Sequence, residues 1–325
     1  MRVAFWGTPE FATPPLNALL GEGHDVVAVV TQPDRPQGRS RSVLVPSPVK
    51  AIALEQGIPV FQPEKPRGDD FIHALREAKP DISVVVAYGR LLPQAVIDLP
   101  PRGTINIHGS LLPKLRGASP VEAAILAGET ETGVTIMRMV LALDAGAAIH
   151  VLRTPILSDE TAGELRERLS ELGAQALIEA LTLMELGAAK ETPQDDALAT
   201  FCGLIKREDA RVDWAASAER VSRVMRAFDP KPGAFTTHGD IEVKLFGGRP
   251  ERLDEAVAVS AGAQAFRAAS DVKPGTVLGI NADGVLVACG TEGVRIAAVH
   301  PSGRKRLSAR DWAAGRGISV GDVLG

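Results

Sequence analysis

Apolar residues in the first half of the chain fall in short, nearly unbroken runs separated by stretches of helical spacing. Positions 3–6, 26–30 and 82–87 are runs of strand length and read as buried strands. Segments 48–56, 69–78 and 120–127 space their apolar residues as helices do, between or after those runs. Strands alternating with helices predict an α/β fold with a doubly wound, mostly parallel, Rossmann-like sheet. Ligands of such sheets sit beyond the carboxyl ends of the strands. Gly7-Thr8, Ala87-Tyr88-Gly89 and His108-Gly109 all fall at expected strand ends and should line one crevice.

Leu165, Leu169, Leu172, Leu177 and Leu181 mark a long helix over 161–186, and 187–200 then has neither period. Beyond it a helix is predicted at 217–228 and strands at 241–246, 276–280, 285–289 and 294–299. Asn281-Ala282-Asp283-Gly284 and Gly290-Thr291-Glu292-Gly293 read as hairpin turns. Short strands at this spacing suggest a small antiparallel barrel. The organisation expected is a catalytic domain over 1–187, a linker over 188–206 and a smaller β-barrel domain over 207–325, with no internal repeat.

The sharpest chemical signal is Asn106-Ile107-His108. Over the predicted strand 104–108 side chains alternate, so Ile105 and Ile107 face a core while Asn106 and His108 share the opposite face. An amide and an imidazole together at the end of a buried strand are costly unless they bind something.

These residues, followed by Ser110-Leu111-Leu112-Pro113 and with Asp144 inside Leu143-Asp144-Ala145-Gly146, resemble the folate-dependent formyltransferases, and among them the members acting on methionyl-tRNA. The similarity takes in 5–12, 31–36, 46–50, 84–89, 110–117 and 131–137, and returns at 209–214 and 226–228. The resemblance implies an OB-like C-terminal domain, 10-formyltetrahydrofolate as co-substrate, initiator methionyl-tRNA as acceptor and a monomer. It implies that His108 and Asn106 hold the formyl oxygen, while Asp144 tunes His108 and manages the proton. Folate contacts fall on Val86, Ala87, Tyr88, Gly89 and Arg90, on Ser110, Leu111, Leu112 and Pro113, and on Leu141, Ala142 and Leu143. Tyr88 reads equally well as a packing residue. Ala142 and Ala145 stand where the family has Gly and Thr, and Leu204 where it has Lys.

The loop 34–49 is long for an α/β connection and carries Arg35, Arg39 and Arg41 among Pro, Gly and Ser. The resemblance makes it an arm entering the acceptor end of tRNA. Lys206, Arg207, Arg304, Lys305 and Arg306 are the candidate phosphate contacts of the second domain. Arg220, Arg223 and Arg226 recur every three residues as a basic stripe, a pattern more often merely solvated. His24, His73, His150, His238 and His300 receive no role.

Composition narrows the alternatives. The 325 residues are 45% hydrophobic and 23% charged, ordinary for a soluble globular protein. No apolar run approaches the ~20 residues of a membrane span. With no leader expected before the first strand, a cytoplasmic protein without membrane partners is expected. Cys202 and Cys289 match no metal spacing, and no metal is expected. The net charge is −4, but residues 207–325 carry 17 Lys and Arg against 15 Asp and Glu, a mildly basic rear half. Rival readings are a formyltransferase acting on a nucleotide sugar or another small amine, a formyl-folate hydrolase and an inactive tRNA-binding module. A dinucleotide oxidoreductase lacks support, because Gly7-Thr8-Pro9-Glu10 is not Gly-x-Gly-x-x-Gly.

Overall fold

The buried apolar runs form the centre of the first sheet. β1 (Arg2–Gly7) and β2 (Asp25–Val30) pair in parallel, and Val3, Ala4, Phe5 and Trp6 are wholly buried. The short strands β3 (Arg35–Gln37) and β4 (Val43–Val45) pair antiparallel with each other. β5 (Val60–Phe61), β6 (Ile82–Val86) and β7 (Thr104–His108) extend the parallel sheet. β8 (Arg116–Gly117) lies outside it. β9 (Glu131–Arg138) and β10 (Ala148–Pro155) complete the sheet antiparallel, giving the order β10-β9-β7-β6-β1-β2-β5. The mostly parallel α/β sheet is therefore as expected.

The computed structural model describes residues 1–37, 43–253 and 272–325. Its helices are α1 (Thr13–Gly21), α2 (Pro48–Glu55), α3 (Asp69–Glu77), α4 (Gln94–Ile97), α5 (Pro120–Ala127), α6 (Ala162–Glu185), α7 (Ala218–Ala227) and α8 (Ala309–Ala314). Two compact units emerge. One comprises Met1–Pro120, Glu131–Pro155 and Arg166–Gly203, the other Val121–Thr130, Ile156–Leu165 and Leu204–Gly325.

Register brings the strand ends of the first unit together. Gly7 lies opposite Val86, and Val85 opposite Asn106, so β1, β6 and β7 finish side by side. The segment expected as a linker makes specific bonds in this unit. Thr192 exchanges backbone hydrogen bonds with Ala148, and β11 (Phe201–Cys202) pairs in parallel with β8.

The second unit is antiparallel, as its spacing suggested. β12 (Ala234–His238), β13 (Ile241–Glu251), β14 (Val277–Asn281), β15 (Gly284–Ala288) and β16 (Gly293–Pro301) stand in the order β12-β13-β16-β15-β14. β17 (Leu307–Ser308) pairs with β16. Both hairpin turns occur where expected, and Asn281 Oδ1 accepts from the Asp283 amide at 2.9 Å. β13 runs five residues beyond its predicted end. Gly248, Arg249 and Pro250 stay paired with β16 despite the glycine and the proline.

Val243, Leu245, Val287, Ile296 and Val299 form the core here with Trp214, Met225, Phe228 and Trp312. The arginine stripe of α7 is not simply solvated. Arg226 Nη1 donates to the Glu160 carbonyl at 3.0 Å, Arg220 donates to the Leu126 carbonyl, and the Arg223 guanidinium lies against Gly128. Burial lowers the pKa of Arg226.

Candidate active site

Every position of β7 but Asn106 is buried. Ile105 and Ile107 are buried, His108 is buried at the strand end, and Asn106 is partly exposed. The His108 ring is fixed by one contact, Nε2 lying 2.9 Å from the Leu115 carbonyl. A carbonyl only accepts, so Nε2 carries the hydrogen, and Nδ1 is the nitrogen left for chemistry. Asp144 Oδ2 stands 3.7 Å from that Nδ1. This is beyond hydrogen-bond length but close enough to balance a charge on the ring. The Asn106 amide has no side-chain partner among the described residues and is open to a ligand.

The loop 139–147 carries the acid. Leu141, Ala142 and Leu143 are exposed, so packing does not hold it. Asp144 sits at φ +49°, a left-handed conformation that side chains other than Gly, Asn and Asp avoid. Its Oδ2 accepts from the Gly117 amide at 2.8 Å. Gly117 is obligatory, because a Cβ there would stand 2.0 Å from the Cys202 carbonyl across the β8–β11 pair.

Two polar residues that the sequence did not single out complete this frame. Thr135, wholly buried on β9, donates to the Ser110 carbonyl at 2.7 Å and accepts from the Leu112 amide at 3.2 Å. Gln194 donates to the carbonyls of Asp144 and Gly146 at 2.7 and 2.8 Å. Only its place next to Pro193 in an aperiodic stretch was visible, and that is no signal. Ser110, buried, donates to the Lys114 carbonyl at 2.6 Å and closes the turn of Leu111, Leu112 and Pro113, which are half-buried.

The other expected folate positions divide. Val86 is buried, while Ala87, Gly89 and Arg90 are exposed beyond β6, with Ala87 at φ +47°. The Tyr88 ring belongs to the core, edge-on to Trp6 with centroids 5.3 Å apart, and its hydroxyl has no partner among the described residues. Burial raises the pKa of that phenol. What Tyr88 offers at the crevice is backbone. Its carbonyl accepts from Gln32 Nε2 at 2.7 Å, and Gln32 Oε1 accepts from Arg35 at 2.6 Å. Arg35 and Arg90 thus meet on one open cavity of about 280 Å³, lined also by Gln32, Pro33, Asp34, Glu64 and Lys65.

Arg39 and Arg41 lie outside the described residues. In the second unit Arg207 is paired with Glu242 and rests on the Phe235 ring. Arg306 lies 3.8 Å over the Phe246 ring and 3.7 Å from Asp229. Lys206, Arg304 and Lys305 are exposed. Among the described residues no three His, Cys, Asp or Glu side chains are grouped to hold a metal, and no helix is long and apolar enough to cross a membrane.

Comparison with known proteins gives the family. The formyl transferase family model matches residues 1–181, and the model of the formyl transferase C-terminal domain matches 204–317. The chain belongs to the formyltransferase family. Among curated relatives, the methionyl-tRNA formyltransferase of Geobacter metallireducens is 42% identical over 325 residues, covering 100% of this chain and 99% of that one. The methionyl-tRNA formyltransferase of Chromobacterium violaceum is 44% identical over 326 residues, covering 100% of both. Solved structures share the fold at lower identity. The Helicobacter canadensis N-formyltransferase, solved with folinic acid and dTDP-3-aminofucose, has TM-score 0.65 at 16% identity, covering 91% of this chain and 98% of that one. HypX from Aquifex aeolicus, solved with tetrahydrofolic acid, has TM-score 0.64 at 22% identity, covering 96% of this formyltransferase and 46% of HypX.

Proposed function

We propose that this formyltransferase moves the formyl group of 10-formyltetrahydrofolate onto the amino group of initiator methionyl-tRNA. Two full-length relatives above 40% identity carry that activity in their names. The observation that carries the chemistry is the convergence of His108 Nδ1 and Asp144 Oδ2, 3.7 Å apart, on the strand face that also bears the open amide of Asn106.

A free α-amino group titrates near ~7.7–8.0, so much of the base's work is done by solvent at neutral pH. As that nitrogen attacks the formyl carbon, the formyl oxygen gains negative charge. Asn106 Nδ2–H and His108, protonated at Nδ1, donate to this oxygen, with Asp144 balancing the imidazolium. Asp144 takes the proton released by the amine and returns it to folate N10 as the carbon–N10 bond breaks. The exposed 141–143 backbone, the backbone beyond β6 and the 110–113 turn form the folate cradle. Arg35, Arg39 and Arg41 contact the tRNA acceptor end, and Lys206, Arg207, Arg304, Lys305 and Arg306 its phosphates. The same reading makes the protein a cytoplasmic monomer that needs no metal.

The test is product identification. Purified protein with 10-formyltetrahydrofolate should formylate methionyl-tRNA, and formylation of a nucleotide amino sugar but not of methionyl-tRNA overturns the proposal. Replacing His108 by Ala should lower kcat by roughly 10²–10³-fold, the usual loss for one oxyanion donor.

A further inference from the structure

Gln194 lies in the stretch that the sequence marks as a linker, yet every hydrogen-bonding valence of its side chain is used. Nε2 donates to the carbonyls of Asp144 at 2.7 Å and Gly146 at 2.8 Å. Oε1 accepts from Arg116 Nε at 3.0 Å and Nη2 at 2.9 Å. The amide cannot be turned round, since a guanidinium only donates and a carbonyl only accepts. Arg116 is itself buried on β8, its Nη2 also donating to Asp196 Oδ1 at 2.7 Å. One side chain therefore grips the main chain on both sides of Ala145, in a loop whose apolar side chains face solvent.

We propose that Gln194 is a positioning residue for Asp144: by holding the carbonyls at 144 and 146 it fixes the left-handed turn that aims the carboxylate at Gly117 N–H and His108 Nδ1. Asp144 at φ +49° is a conformation that the surroundings must impose. Gly146 shows how tightly the loop is seated, because a Cβ there would stand 1.8 Å from the Arg138 carbonyl. With 141–143 exposed, loss of the amide clamp leaves the carboxylate its bond from the Gly117 amide but removes the backbone hold that aims it. This assignment rests on the function proposed above in its kinetic part only.

The test compares Gln194→Glu and Gln194→Met with the wild-type chain. Glu keeps the length and both Arg116 bonds but turns an acceptor towards two carbonyls, while Met removes donors and acceptors alike. Both variants should lose roughly ten- to a hundred-fold in kcat, the scale of an ~1 Å misplacement. KM for methionyl-tRNA should move by less than about twofold, the split expected when only transition-state geometry suffers. Unchanged kcat in either variant overturns the proposal.

A second readout needs no activity. The Gly117 amide proton, donated to Asp144, should shift in the NMR spectrum of both variants, and a folded variant with an unmoved Gly117 signal overturns the proposal. In the wild-type protein the two Gln194 Hε2 protons should appear as separate, slowly exchanging signals. Rapid exchange of both with solvent also overturns it, whatever the variants do. Absence of formyl transfer in the wild-type chain would instead refute the proposed function and leave these signals to decide the role of Gln194.

Discussion

Asp144 separates two properties that a substitution can test independently, its carboxylate and its backbone. Asparagine tolerates φ +49° and still accepts from Gly117, so Asp144→Asn should change stability by no more than ~0.5 kcal/mol while kcat collapses. Val at the same position should destabilise by about 1–2 kcal/mol, because β-branched residues resist the left-handed region. Urea unfolding beside single-turnover assays separates the two effects. Cys289 gives a prediction of another kind. Burial pushes its thiol up to about 12, so it should stay unmodified by a thiol reagent at pH 8 until the protein is denatured. At this scale the sequence was legible where chemistry is local: the alternation of 105–108 put Asn106 and His108 on one face. Asp144 was reached only through family resemblance. Gln194 was invisible, and its bond to Arg116, inside the matched stretch 110–117, joins residues 78 positions apart that no period links.

Elements were legible when both faces or one clean face of a strand are buried. β1, β2 and β6 are apolar on both faces, and their runs announced them. β9 and β10 were not read from their pattern; β10, at the sheet edge, alternates exposed and half-buried residues with Thr and Arg among them. The arginine stripe of α7 misled because charge spacing says nothing of what lies opposite, here the carbonyls of 126 and 160. Ser217 starts that helix by accepting from the Arg220 amide at 3.2 Å. Its replacement by Ala should cost about 1 kcal/mol, measured by denaturant unfolding.

Asp34, at the entrance to the arginine loop, gives a pH signature. Hydrogen bonds from Lys50 and then Gln62 hold its carboxyl below the ordinary value of 3.8. A lowered folded pKa means stability that is full above that ordinary value and lost as pH falls through the folded one. The Tm advantage of wild type over Asp34→Asn should therefore be constant near neutrality and shrink below about pH 4. An advantage that grew on acidification would contradict the pairing.

For the whole molecule, the antiparallel unit is built from three separate stretches, and that discontinuity was not legible because the two small pieces resemble ordinary connections of an α/β domain. Leu126 packs on the C-terminal core, while Arg220 and Arg226 bond to carbonyls at 126 and 160. Residues 204–325 made alone lack all of these. Their melting transition should lie below that of the same unit in the full chain by at least ~4–8 °C, the shift that ~1 kcal/mol produces in a domain of this size. Calorimetry of both proteins checks this.

The same patchwork constrains how the protein is born. Ribosomes release polypeptide in order, at about 5–20 residues per second, and domains ordinarily fold as they emerge. Residues 121–130 and 156–165 are delivered early and must wait for 204–325 before their neighbours exist. Truncated nascent chains that stop short of β13 should hold these two pieces protease-sensitive, and protection should arrive only as the later strands leave the tunnel.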